Sequence, residues 1–243
     1  ALTLRPRVLG ERAVFDGQDR VQVFAISADA TLVDIDIVKG SAHRGGAVLV
    51  DQRSRPYFLG CRFKDNFANV EGGAMMILGA SAPTLDGCTF TSNWAKFFGG
   101  GLCVDGSGTD PVLVNVAFVN NSAGINAGGL SVKGQAAPRL EACTFDDNTA
   151  RAAGGALTVQ EAGTAPSFTN VTFVNNFLSG PEGRGGALFC SNGAAPRFDA
   201  CTFRLNLALV AGGGAFVEGS TPVFQNVTFV DNFADGPEGL AGA

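Results

Sequence analysis

The chain has 243 residues, 46% apolar and only 16% charged, with a formal net charge of −5 and no Lys/Arg-rich run. That balance excludes nucleic acid and anionic membrane surfaces as principal partners, and no apolar stretch reaches the ~18 residues a membrane-crossing helix needs. Core material is plentiful, with 34 Gly and 20 Phe, whereas one His, one Trp and one Tyr leave little for chemistry.

Residues 1–31 read as an irregular N-terminal coil in which Val21 to Ile26 is strand-like. Ala1-Leu2-Thr3 is neither an initiator methionine nor a secretion signal, and Leu240-Ala241-Gly242-Ala243 stops where other coils run on into a strand. The chain therefore reads as a segment of a longer protein. Leu32 to Ile37, followed by His43-Arg44-Gly45-Gly46-Ala47, forms a degenerate coil opening a repeat region over 32–243.

From Pro56 onward one unit recurs every 26 to 30 residues. Pro56, Pro83, Pro111, Pro138, Pro166, Pro196 and Pro222 each stand seven residues ahead of a phenylalanine, and each phenylalanine is followed by x-x-Asn. Such a period means stacked supersecondary units, not one central core. In the unit at Pro166, Ser167-Phe168-Thr169 is one strand, Val171 to Val174 alternates as a second, and Leu188-Phe189-Cys190 after Gly185-Gly186 is a third. Three short strands per coil and about eight to nine coils predict an all-β, right-handed parallel β-helix about 40 Å long, as a single domain. Helical repeats are a poor runner-up, because two glycines per unit would cost a helix ~1 kcal/mol each.

Stacking predicts columns of like side chains. Phe63, Phe90, Phe118, Phe145, Phe173, Phe203 and Phe229 point inward, beside the column Cys61, Cys88, Val116, Cys143, Val171, Cys201 and Val227. The exchange of Cys for Val marks these cysteines as buried free thiols, whereas strand parity turns Cys103 outward. Coils of Cys and Val type alternate, and Gly180-Pro181-Glu182-Gly183 recurs at Gly236-Pro237-Glu238-Gly239, which suggests a two-coil evolutionary unit. Asn66, Asn93, Asn121, Asn148, Asn176, Asn206 and Asn232 are expected to take the left-handed bend and to link their amides as an internal ladder.

Phe118-Val119-Asn120-Asn121 and Phe145-Asp146-Asp147-Asn148, alternating with Gly154-Gly155-Ala156-Leu157 and Gly185-Gly186-Ala187-Leu188, resemble the chlamydial polymorphic outer-membrane-protein repeat across about residues 32–243. The resemblance implies a pectin-lyase-like right-handed β-helix, secreted or displayed on the cell surface and serving adhesion. It supplies no catalytic residue.

Other features bear on function. The outward positions of the third strand, Leu49, Met76, Cys103, Ser131, Thr158, Phe189 and Phe216, include an apolar file that reads as a contact face for another chain or a flanking segment. Asn120, Asn170 and Asn226 head Asn-x-Ser/Thr glycosylation triplets. Asp34 and Asp36 are expected to pair with Arg62 and Lys64 on the neighbouring coil. Trp94 belongs to a file with Phe67, Ser122, Thr149, Phe177, Leu207 and Phe233 that reads as packing beside the turn. Thr89, Thr144, Thr172, Thr202 and Thr228 form a single outward file, too narrow for an ice-binding lattice. No cofactor motif and no metal-ligand spacing is present. The expectation is a non-enzymatic extracellular module contacting proteins or glycans; the alternative is a polysaccharide-active lyase or epimerase-like β-helix.

Overall fold

The computed structural model describes residues 2–8 and 10–235. The second Gly-Pro-Glu-Gly insertion, the chain end and Ala1 lie outside the described residues. Every assigned element is a strand, and all pairings are parallel, arranged as four sheets of nine, nine, eight and eight strands. Each full coil visits the sheets in one order, as in Val112–Val114, Ala117–Val119, Ser122–Ala123 and Leu130–Lys133. The next coil repeats it in register, so that Leu113 faces Leu140, Phe118 faces Phe145, Ala123 faces Ala150 and Val132 faces Val159.

A coil thus has four strands, not three. From Trp94 onward the additional one is two residues long and follows the ladder asparagine, as in Trp94–Ala95, Thr149–Ala150 and Phe177–Leu178; the first two of its sheet, Ser41–Arg44 and Phe67–Glu71, are longer. Two residues are too few to display alternation, and the inward member is usually alanine. The N-terminal segment is also more regular than its sequence: Leu2–Leu4, Ala13–Asp16 and Phe24–Ile26 begin the first, second and fourth sheets.

The interior is a pile of identical groups. Phe118 and Phe145 stack at 4.6 Å with 3° between their planes, and the pairs Phe63–Phe90, Phe90–Phe118, Phe145–Phe173, Phe173–Phe203 and Phe203–Phe229 extend the pile at 4.5–4.9 Å. Each contact adds about 0.5–1.5 kcal/mol beyond the area it buries.

The asparagine amides are fully used. Asn121 Nδ2 donates to Asn148 Oδ1 of the next coil at 3.0 Å and to the Phe90 carbonyl of the previous coil at 2.9 Å, while its Oδ1 accepts from the Nδ2 and backbone N of Asn93. Side-chain bonds of 2.8–3.0 Å join Asn66, Asn93, Asn121, Asn148, Asn176, Asn206 and Asn232 without a break. The left-handed bend, however, falls one residue earlier than expected: Ser92, Asn120 and Asp147 have φ of 55°, 53° and 55°. That residue turns the corner with its side chain outside, which leaves the following asparagine pointing in.

The Gly-Gly corner has two separate causes. Its first member has positive φ, as at Gly99 (64°) and Gly154 (57°), a region where a Cβ is costly. Its second member touches the next coil: a Cβ on Gly100 would lie 2.2 Å from the Ser122 carbonyl oxygen, and one on Gly155 2.3 Å from that of Gly186.

Candidate functional site

The outward positions of the fourth sheet do not form an exposed apolar file. Met76 and Cys103 are 0% exposed, and Ser131 and Thr158 are buried as well, although none of the four belongs to the central core cluster. Leu49, Phe189 and Phe216 are half-buried. The cover is the corner segment between the third and fourth sheets, where Glu71, Phe98, Asn126, Ala153, Arg184 and Ala211 bridge in a one-residue parallel column. Parity placed Met76 and Cys103 correctly outside the tube, but it carries no information on what lies above them. The Cys103 Sγ sits 3.8 Å from Glu71 Oε2, and burial pushes its thiol pKa well above the ordinary value.

Glu71 is the centre of a charge cluster on this face. It is 1% exposed, accepts from Lys133 Nζ at 2.6 Å, and has Arg44 Nε 3.1 Å from its other oxygen in an ion pair without hydrogen-bond alignment. Lys133 also lies 3.7 Å from Asp105 and over the Phe98 ring at 5.4 Å. Burial opposes the charge on Lys133, but Cys103 and the Glu71 and Asp105 carboxylates together outweigh it and raise its pKa. Sequence reasoning missed this cluster. The available signal was a charged residue directly before Gly72-Gly73, where the following coils place Phe98, Asn126 and Ala153.

Farther along the same groove lies a cleft of about 640 Å³ between the fourth sheet and the loop carrying the Gly180–Gly183 insertion. Phe189, Ser191, Gln160 and Glu218 come from the sheet side, and Asn126, Ala153, Glu182 and Arg184 from the corner side. Arg184 places its guanidinium 5.3 Å from the centre of the Phe216 ring, which stacks on Phe189 at 5.9 Å.

The other singled-out residues fall elsewhere. Asn120, Asn170 and Asn226 are exposed at left-handed corners, with φ of 53–54°; Asn226 Nδ2 donates to Asp199 at 3.1 Å. Asp34 and Asp36 are not paired with Arg62 and Lys64. Arg12 reaches them instead, with Nε 2.5 Å from Asp36 and Nη1 3.4 Å from Asp34, while Lys64 lies 3.6 Å from Asp65. Arg12 stands in a coil with no motif, so register arguments could not reach it. Trp94 is 38% exposed and stacks on Phe67 at 5.0 Å.

All six cysteines are buried free thiols. In-register neighbours such as Cys61 and Cys88 keep parallel Cβ atoms about 4.8 Å apart, wider than the 3.5–4.5 Å a disulfide adopts. Among the described residues no group of three His, Cys, Asp or Glu side chains could hold a metal ion, and no helix is long and apolar enough to cross a membrane.

Four parallel sheets wound about one axis, with an internal asparagine ladder and a groove along the outside, define a parallel β-solenoid of about nine turns. Residues 23–203 match the family model described as the right-handed beta helix region, and the chain belongs to that family. Neither the comparison with curated proteins nor that with solved structures finds a match.

Proposed function

We propose that this chain is a non-enzymatic, extracellular or cell-surface module that presents a rigid β-helical face for contacts with proteins or glycans. The observation that carries this reading is the use of its polar groups: ladder amides bond to one another, Asp34 and Asp36 are held by Arg12, and Glu71 is neutralised between Lys133 and Arg44. What stays open is a surface, chiefly the groove outside the fourth sheet. The alternation of Phe-x-x-Asn with Gly-Gly-Ala supports the finer reading that the coils are of the polymorphic outer-membrane-protein type, exported and adhesive. Exposed Asn120, Asn170 and Asn226 are compatible with glycosylation in a secretory pathway.

One observation favours a second reading, a polysaccharide-active β-helix: Glu71, Asp105 and Lys133 converge on the outer side of one sheet, and a carboxylate beside a lysine is acid–base equipment. Incubation with acidic and neutral polysaccharides, monitored both for binding and for new unsaturated or reducing ends, separates the two. The structural reading expects retention without turnover. Turnover that disappears in Lys133→Met establishes the enzymatic one.

A further inference from the structure

The groove outside the fourth sheet repeatedly places a cation on an aromatic ring, with Lys133 over Phe98 and Arg184 over Phe216. Phe189 lines the cleft next along this face, and among the described residues no cation stands over it. Two carboxylates, Glu182 and Glu218, line the same cleft, are exposed, and form no ion pair within 4.0 Å among the described residues. Ser191, at the floor, already receives Gln160 Nε2 at 3.3 Å.

We infer that this cleft binds a lysine or arginine side chain of a basic partner polypeptide, with the cation on the Phe189 face between Glu182 and Glu218. The inference deepens the proposed contact function and rests on it. An aromatic face and two unpaired carboxylates attract a cation. The same pair repels an anionic glycan. Arg184 leaves the balance of the lining acidic, since its single charge opposes two and its guanidinium is engaged by Phe216.

Fluorescence anisotropy with a labelled hexalysine peptide at low salt tests the inference. The unmodified chain should bind saturably, and Glu182→Gln/Glu218→Gln should weaken binding by about tenfold. Phe189→Leu, which leaves the net charge unchanged, should weaken it several-fold. A control of equal charge change on another face, Glu141→Gln/Asp147→Asn, should bind within about twofold of the unmodified chain. No saturable binding, or equal weakening by the cleft and control pairs, overturns the assignment. If hexalysine fails to bind while the chain still adheres to other proteins or glycans, the basic-partner inference falls and the contact function stands. Matched melting curves for all variants separate lost binding from lost fold.

Discussion

Lys133 Nζ donates to Glu71 Oε2 across 2.6 Å, joining residues 62 positions apart in sequence and two coils apart along the axis. With Arg44 one coil before Glu71 and Asp105 one coil after it, the cluster spans four consecutive turns. It fastens the solenoid from outside as the ladder does from within.

Breaking a buried pair by removing one partner leaves the other charge uncompensated, at about 3–5 kcal/mol. Glu71→Gln should therefore lower stability by about 3 kcal/mol in urea unfolding, whereas neutralising the exposed Glu141 should change it by less than about 0.5 kcal/mol. Equal small effects from both would show that the cluster contributes nothing.

The ladder makes a contrast between adjacent asparagines. Asn121→Ala removes four hydrogen bonds and strands two buried donors of Asn93 and the Phe90 carbonyl, all in the preceding coil, at about 3 kcal/mol or more. Asn120→Gly places glycine at an exposed corner with φ 53°, where glycine is at ease, and should cost less than about 0.5 kcal/mol. Denaturant midpoints of the two variants check the difference.

The columns of Phe, Asn and Cys or Val were legible because a fixed period and two-residue alternation decide what stacks on what. Ala95 and Ala123 hid a strand, since a two-residue element has no pattern of its own. The burial of Met76 and Cys103 was hidden for another reason: whether an outward side chain is covered depends on how the corner at Glu71 and Phe98 folds back, which no residue in their own strand encodes. Glu71 itself left a trace, as a charge in a column otherwise largely uncharged, and Arg184 marks the same column beside the cleft.

Ala127 holds φ of 60° where neighbouring coils place Gly99 and Gly154. Replacing it by glycine relieves a left-handed alanine and should raise stability by about 1 kcal/mol, despite the larger entropy of the unfolded glycine. Gly100→Ala should do the opposite, by about 3 kcal/mol, because its Cβ would meet the Ser122 backbone at 2.2 Å. Thermal melting of both variants reads the two signs directly.

Burial pushes the Cys143 thiol up to about 11. The folded state thus keeps a proton that the unfolded chain loses near pH 9, so this contribution is intact below about pH 9 and declines as pH climbs toward 11. Its loss amounts to about 2 kcal/mol by pH 11. Cys143→Val, which copies Val116 and Val171 of the same column, should flatten the alkaline fall in stability by that amount. An unchanged alkaline slope would show that the thiol does not sense burial.

The in-register winding is tested most directly by pulsed electron–electron spectroscopy on spin labels at Arg62→Cys and Thr228→Cys, two outward ends of one column, with the native thiols buried. Six strand spacings predict a narrow distribution centred near 29 Å, widened by a few ångström for the label arms. A broad distribution, or a mean beyond about 40 Å, would contradict a stack in which each coil sits squarely on the last.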